Sequence, residues 1–361
     1  MITTNKDLKA LMERAHKTDA IALDTEFIWE RTYYPRLGLI QLALSDEECF
    51  LIDPCALDDL SPLGELLADP AVVKIFHDAP QDLAILRNAT GRDPQNIFDT
   101  RLAAGFGGLS STLSLSALIE LLLEIKLEKT ETRTNWLQRP LDKKQTQYAK
   151  DDVRYLRAAR VLLLARILPT TKKWMEEELS RLNKPENYIG IIDAKRYTKV
   201  KGAASLNQIS LAILQELATW RENEARHRNR PRGHIIKDSV LLSIAKGRLR
   251  DHAAIQKCGE ISAKTVAAYG DKIIQLVDNG LARPEPDCPP SLRQTKLNHK
   301  EQAALTRLQD YITLKSDVNG VDPALIGNKG ELKRCIRNTS PSTSRQKKGW
   351  RKEFLAEMKE E

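Results

Sequence analysis

Residues 20–27 constrain the fold of this chain more than any other stretch of the sequence. Four apolar residues precede Asp24 and Glu26, a pattern that predicts a buried strand ending in two carboxylates. Because residues i and i+2 of a strand point to the same face, these two side chains project together. Like charges at such close range repel each other unless a cation lies between them. Two interpretations are therefore open: a solvated strand end, or one wall of a metal site.

Length and cysteine usage exclude several protein classes. The chain has 361 residues, enough for one large core or two to three smaller ones. No window approaches the roughly 18 apolar residues of a membrane span, and the first residues lack the apolar region of a secretory signal. The five cysteines are scattered, odd in number and without a C-x-x-C pair, so neither a disulfide framework nor a zinc site is indicated. A reduced, cytoplasmic protein is the expectation.

The net charge of +8 is distributed unevenly along the chain. Residues 1–170 hold 21 Lys and Arg against 25 Asp and Glu, a net charge of −4, and residues 171–361 hold 36 against 24, a net charge of +12. This division predicts an acidic catalytic half and a basic half suited to binding a polyanion.

Hydrophobic periodicity predicts alternating strands and helices in the first half. An acidic turn at 45–48 separates two apolar runs, which predicts a hairpin. The predicted strands are 20–26, 37–44, 49–52, 72–76 and 97–99, and the predicted helices are 6–16, 59–68, one opening at Pro80, 113–123 and a single long helix over 142–167. Strands that alternate with helices in this way imply an α/β domain, a mixed sheet covered on both faces.

Two further sites could join the carboxylates of the first strand. Asp82 lies in the first turn of a helix that follows a strand, the position at which a parallel sheet presents functional groups. Tyr148 and Asp152 are four residues apart on a predicted helix and so share one face. Each has a plain alternative: Asp82 as a first-turn acid favoured by the helix dipole, and Tyr148 as a core residue beside a solvated acid. A shared site explains all three positions together.

These three segments resemble the motifs of the DEDD exonuclease superfamily. A tyrosine four residues before the last aspartate resembles the DEDDy branch, and the run before the third motif resembles the ribonuclease D family. The match covers most of residues 1–170 and rests on Leu23-Asp24-Thr25-Glu26-Phe27, His77-Asp78-Ala79-Pro80-Gln81-Asp82-Leu83, Thr134-Asn135-Trp136-Leu137-Gln138-Arg139-Pro140-Leu141 and Tyr148-Ala149-Lys150-Asp151-Asp152-Val153.

The resemblance implies a ribonuclease H-like fold and two-metal 3′→5′ exonuclease chemistry. By this resemblance Asp24, Glu26, Asp82 and Asp152 hold two divalent ions, Mg²⁺ or Mn²⁺, and Tyr148 orients the attacking water. Sites built only from carboxylate oxygens suit such hard cations. An ordinary tyrosine pKa is about 10, so Tyr148 is not expected to act as a full base at pH 7.

Two neighbours of this predicted site receive no catalytic role. His77 lies away from the helix that carries Asp152, so it is interpreted as a structural residue and not as the histidine of the DEDDh branch. Asp78 is an additional acid whose role the sequence leaves open.

The second half is predicted to be wholly helical and to contain more than one domain. Residues 205–282 resemble an HRDC domain, in which Arg and Lys would contact phosphates; a structural or protein-binding bundle with a solvated basic face is the alternative. Basic residues of this domain cluster at Arg221, Arg226, Arg228, Arg230, Arg232 and Lys237. The predicted divisions are an exonuclease domain at 1–170, a helical linker at 171–204, the HRDC domain at 205–282, a proline-rich linker at 283–291, and a second HRDC-like unit with a basic tail at 292–361.

The resemblance predicts an exoribonuclease that removes nucleotides from RNA 3′ ends and releases 5′-mononucleotides. Precursor tRNA with a free 3′ end is the expected substrate, the protein is expected to be a monomer, and no membrane is expected as a partner. Two alternatives are a DNA 3′→5′ exonuclease, since no motif senses a 2′-hydroxyl, and a catalytically inactive RNA-binding scaffold.

Overall fold

The computed structural model of the chain describes residues 1–128, 134–189, 193–293, 296–337, 339 and 344–356. Its contacts divide the chain into two compact units. The first comprises Met1–Ile28, Leu37–Ile189 and Leu297–Glu361, and the second comprises Trp29–Arg36 and Gly190–Lys296. A search of the described part of the chain finds no helix that is both long and apolar enough to cross a bilayer.

A five-stranded mixed sheet forms the centre of the first unit. The strands are β1 (Ala20–Ile28), β2 (Arg36–Ala43), β3 (Cys49–Ile52), β4 (Val73–Phe76) and β5 (Ile97–Asp99). Their order across the sheet is β3-β2-β1-β4-β5, with β2 and β3 antiparallel, as the predicted hairpin requires, and with β4 parallel to both β1 and β5. The predicted mixed α/β fold is thus confirmed, and β1 is the central strand.

In the described part of the chain, eight α-helices of the first unit precede residue 190. They are α1 (Asn5–Ala15), α2 (Ser61–Ala68), α3 (Pro80–Thr90), α4 (Thr100–Phe106), α5 (Leu115–Leu123), α6 (Lys143–Arg154), α7 (Leu156–Arg166) and α8 (Pro169–Ser180). Helix α4, capped by the Asp99 side chain, is absent from the sequence prediction.

The predicted single helix over 142–167 is two helices. The backbone leaves helical angles at Tyr155, where φ is −100° and ψ is 3°. Helix α6 packs on β1 and β3, whereas α7 packs on β1, β4 and α4. The break is consistent with the twist of the sheet, because one straight helix cannot follow both of these surfaces.

The second unit is helical where the structure describes it. Its helices are α9 (Gln208–His227), α10 (Arg232–Ile235), α11 (Asp238–Gly247), α12 (His252–Lys257) and α13 (Ala263–Leu281), preceded by 3₁₀ segments such as Asp193–Lys199. The two long helices, α9 and α13, pack together so closely that a Cβ on Gly280 would lie 2.6 Å from Ile213 Cα. The predicted proline-rich linker belongs to this unit, since Arg283 donates to Gln215 and Cys288 is buried.

The C-terminal helices differ from the separate domain that the sequence predicted for 292–361. Helices α14 (His299–Asn319), α15 (Lys329–Ile336) and α16 (Gly349–Leu355) belong to the first unit. Trp350 stacks on Trp174 of α8 with ring centroids 5.8 Å apart and meets Phe106 of α4 edge-on. Because these aromatic side chains are shared with the core around the sheet, the segment has no separate core of its own.

Candidate active site

Strand β1 delivers two carboxylates to one point of the first unit. One oxygen each from Asp24, Glu26 and Asp152 lie within 4.8 Å of one another. The strand residues before Asp24 are at most 1% exposed, so the core fixes the direction in which both acids leave the strand. In the described residues this is the only group of three or more acidic, histidine or cysteine side chains so close together.

Helix α6 supplies the third carboxylate. Ala149 and Val153 are fully buried and anchor α6 in the first unit, so Asp152 is held at a fixed turn of the helix. Tyr148, one turn earlier, shares a hydrogen bond with the Asp152 carboxylate. The structure therefore brings together the predicted strand pair and the predicted tyrosine–aspartate pair.

Asp82 lies beside this cluster rather than within the group of three. It occupies the first turn of α3, is 8% exposed, and accepts a hydrogen bond from the Thr25 hydroxyl. Asp99 fixes the start of α3, because its buried carboxylate accepts hydrogen bonds from the Asp78 and Ala79 N–H groups, the latter at 2.9 Å. Thr25 and Asp99 are residues that the sequence reasoning missed.

Burial, followed by crowded negative charge, determines the electrostatics of the site. Burial, together with the charges of Asp152 and Asp82, raises the pKa of Glu26 to about 9. The pKa of Asp24 is also raised well above its usual range, by burial and then by the charges of Asp82, Asp152 and Glu26. Burial is likewise the main cause that raises the pKa values of Asp82 and Asp152 to about 7. A divalent cation would relieve this repulsion, which is the physical reason to regard the cluster as a metal site.

The donor set fits a hard divalent cation. Three carboxylates within 4.8 Å offer only oxygen, without the thiolate or imidazole ligands that favour zinc or copper. The residues present therefore agree with the divalent metal expected from the sequence.

The buried Trp136 side chain, called the Trp136 shelf, packs near the Tyr148 ring. The Trp136 ring, 2% exposed, lies 6.1 Å from the Tyr148 ring, centroid to centroid. Arg139 holds this shelf with all five of its N–H donors: two bonds reach Asp53, at 2.5 and 2.6 Å, and the others reach the carbonyls of Gly38, Trp136 and Gln138. A Cβ on Gly38 would lie 2.7 Å from the Trp136 carbonyl oxygen, so this close approach needs glycine.

The support by Arg139 was missed by the sequence reasoning. The segment 134–141 carried part of the family resemblance, but its partner Asp53 lies 86 residues earlier in the chain. No periodicity or spacing connects the two.

His77 and Asp78 have structural partners. The half-buried His77 ring lies between the Thr100 hydroxyl, at 2.9 Å, and the Leu113 carbonyl, at 3.1 Å. Burial lowers the pKa of His77 to about 4, so the ring is neutral at pH 7. Asp78 forms an ion pair with Arg101. The structural interpretation of His77 agrees with these contacts.

Known proteins similar to the chain share both of its halves. The family described as 3′-5′ exonuclease matches residues 1–164, and the HRDC domain family matches residues 210–277. Ribonuclease D of Desulfotalea psychrophila is 54% identical over 362 residues, which cover 99% of this chain and 96% of that protein. Ribonuclease D of Escherichia coli K12 is 30% identical over 99% of this chain and 96% of that protein.

A solved structure gives the same result for the fold. The crystal structure of Escherichia coli RNase D, described as an exoribonuclease involved in structured RNA processing, has a TM-score of 0.86 at 29% identity. The alignment covers 99% of this chain and 96% of that chain. With a catalytic-domain match, an HRDC match and full-length similarity to curated relatives, the chain belongs to the ribonuclease D family of exoribonucleases.

Proposed function

We propose that this protein trims RNA from the 3′ end, one nucleotide at a time, and releases 5′-mononucleotides, with precursor tRNA as its main substrate. The observation that carries the proposal is the carboxylate cluster of Asp24, Glu26 and Asp152, with Tyr148 hydrogen-bonded to the last of them. Family membership supports the RNA substrate and the 3′→5′ direction. The choice of precursor tRNA follows from the family resemblance.

The proposed metal ligands are Asp24, Glu26, Asp82 and Asp152. These carboxylates would hold a pair of Mg²⁺ or Mn²⁺ ions, which would supply charge stabilisation for an in-line displacement at phosphorus. Asp82 is suited to the second ion because it lies outside the group of three yet close enough for its charge to raise the pKa of both strand carboxylates. The Thr25 hydroxyl keeps Asp82 in place for this role.

Tyr148 is proposed to position the attacking water. Burial and the nearby carboxylates raise the pKa of its phenol above the ordinary value, so the hydroxyl keeps its proton at neutral pH. It acts as a hydrogen-bonding group of fixed direction, set by Asp152 on one side and by the Trp136 ring on the other. A general-base role is disfavoured for the same reason.

The HRDC domain is proposed to dock RNA through fewer cations than the sequence alone indicates. Arg221 is bound to Asp238 and to the Ile236 carbonyl, and Arg232 to the buried Glu222, so both mainly hold the domain together. A basic cavity of about 580 Å³ remains on this unit. Its lining includes His227, Arg228, Arg230, His234, Lys264 and Tyr269. Cations placed like this contact phosphates without reading sequence.

Digestion of end-labelled RNA tests direction, metal and substrate together. With 5′-labelled RNA and Mg²⁺ or Mn²⁺, a ladder shortening by single nucleotides is expected, and with 3′-labelled RNA a labelled mononucleotide is expected at once. EDTA should stop both reactions. Release of labelled mononucleotide from the 5′ end, or activity that EDTA leaves unchanged, would contradict the proposal.

Matched DNA oligomers and a precursor tRNA provide the remaining comparisons. The proposal expects faster degradation of RNA than of DNA of the same sequence, and removal of the 3′ trailer of a precursor tRNA. Equal or faster degradation of DNA would favour the alternative of a DNA exonuclease. Sedimentation at several concentrations tests the proposed monomer.

A further inference from the structure

Beside Tyr148 the first unit has an open cavity of about 620 Å³ that no role assigned so far explains. This volume lies in the range of pockets that hold small organic ligands. The cavity is formed by one face of α6 and by the segment that follows α5. Its lining is Ile125, Lys126, Leu127, Glu128, Lys143, Lys144, Gln147, Tyr148, Asp151, Arg154 and Tyr155.

The lining on α6 forms a continuous stripe. Residue 144, the pair 147 and 148, residue 151 and the following residue 155 succeed one another at steps of about one helical turn, the spacing of one helix face. From residue 143 to residue 154 the helix rises by about 16 Å, at about 1.5 Å per residue. Tyr148 belongs to the stripe and is hydrogen-bonded to Asp152, so this residue connects the cavity to the carboxylate cluster.

The charge of the cavity is positive. Its four cations, Lys126, Lys143, Lys144 and Arg154, outnumber its two acids, Glu128 and Asp151. Asp151 forms an ion pair with Arg154 at 3.1 Å and accepts hydrogen bonds from Gln147 Nε2 at 2.8 and 2.9 Å. Lys143 and Lys144 are exposed and have no ion pair with any residue that the structure describes. They stand in the first turn of α6, where the helix dipole adds to their attraction for an anion.

We propose that this cavity, the α6 groove, holds the ribose-phosphate chain of the RNA strand next to the scissile bond, with Lys143 and Lys144 contacting its phosphates. The inference rests on the proposed exoribonuclease function and adds the path by which the strand reaches Tyr148. Phosphates supply the anion, and the half-buried Leu127 and Tyr155 supply an apolar wall for ribose and base.

The test compares two double variants of equal charge change. Lys143→Ala/Lys144→Ala removes the groove cations, and Lys172→Ala/Lys173→Ala removes two exposed lysines from α8 of the same unit. Steady-state degradation of 5′-labelled single-stranded RNA is measured from about 50 to 300 mM salt. Circular dichroism and melting of both variants check that they fold.

The groove variant is expected to raise KM several-fold at low salt while kcat changes less than twofold. The slope of log(1/KM) against log(salt) should become shallower by about 1.4, at about 0.7 for each lost single-strand phosphate contact. The α8 variant should keep the wild-type slope. A groove variant with wild-type KM and slope, or an α8 variant with the same loss, would overturn the groove assignment. A wild-type protein that fails to degrade RNA would overturn the proposed function itself, and the inference with it.

Discussion

The acids of the candidate active site and the acid Glu178 of α8 lie in the same unit, but their pKa values shift in opposite directions. At the candidate active site the four carboxylates have pKa values raised by burial and by one another. Glu178 of α8 is also buried, yet the hydrogen bonds of Arg351 outweigh that burial and lower its pKa. Arg351, 1% exposed, also donates to the Leu325 carbonyl at 2.7 Å, and Trp350 Nε1 donates to Glu178 at 2.9 Å.

The comparison separates a functional acid from a structural one. The chain provides each Glu178 oxygen with a donor, so its charge is balanced inside the fold. For Asp24, Glu26 and Asp152, by contrast, no cationic side chain is among the main causes of the pKa shift. Uncompensated buried charge costs stability and persists where an external cation balances it.

The largest expected effect is on turnover. Asp24→Asn removes one negative ligand of the proposed metals, and kcat on RNA should fall by at least about 10³-fold, since the charge stabilisation at stake is several kcal/mol. RNA affinity, measured by filter binding, should survive. Asp58→Asn, an acid of a surface turn, is the matched control and should retain full activity. Undiminished turnover by Asp24→Asn would end the metal assignment.

Removing the partner of the structural acid Glu178 should lower stability and leave turnover almost unchanged. Arg351→Ala leaves Glu178 buried without its cation, and the free energy of unfolding in urea should fall by about 3–5 kcal/mol. Replacement of both residues, Glu178→Leu with Arg351→Met, should restore most of the loss. At a temperature where the protein stays folded, kcat should remain near wild type. A loss below about 1 kcal/mol would show that this pair contributes little.

The two regions should also shift stability with pH in opposite directions. In EDTA, the raised pKa values mean that the folded site binds protons more tightly than the unfolded chain does. This contribution is complete below the ordinary carboxyl pKa and is lost as the pH rises through about 7 for Asp82 and Asp152 and about 9 for Glu26. The lowered pKa of Glu178 makes its contribution present above pH 4.5 and lost as the pH falls.

Melting temperatures between pH 3.5 and 9.5 measure both trends. Glu26→Gln should flatten the alkaline fall in EDTA, and Mg²⁺ should raise the melting temperature most at high pH. Glu178→Gln should leave the fall of the melting temperature at alkaline pH unchanged and should weaken its fall at acid pH. A metal-free protein whose stability stays constant from pH 6 to 9 would contradict the crowded-charge description of the site.

The smallest expected effect concerns the support of Tyr148. Arg139→Lys keeps the charge beside Asp53 but loses the fork of five donors, so the Trp136 shelf should loosen and kcat should fall about tenfold with little change in KM. In a protein that already carries Tyr148→Phe, adding Arg139→Lys should change kcat very little, because both changes act through the same hydroxyl. Additive losses would show that Arg139 acts elsewhere.

Local pattern was sufficient for the α/β class of the first unit and for naming the residues proposed at the site. Four apolar residues before Asp24, the Pro80 start of α3 and the four-residue spacing from Tyr148 to Asp152 each depend on neighbours in the chain. These signals come from backbone geometry. Side chains share a face at every second residue of a strand and at intervals of three or four residues on a helix.

Long-range contacts account for what the sequence reasoning missed. The break at Tyr155 follows from two different packing surfaces. The C-terminal helices belong to the first unit because Trp350 packs against Trp174, 176 positions earlier in the chain. Basic residues such as Arg232 were predicted to bind RNA before their internal acidic partners were known.

The sequence by itself determined that two carboxylates leave one buried strand, that a helix carries a tyrosine and an aspartate on one face, and which family these motifs resemble. The tertiary structure decided that Asp24, Glu26 and Asp152 lie within 4.8 Å, and that Asp82 is held aside by Thr25. The physical reason is the range of the interactions. Covalent geometry fixes neighbours in sequence, whereas charge repulsion and its compensation act between residues that only packing brings together.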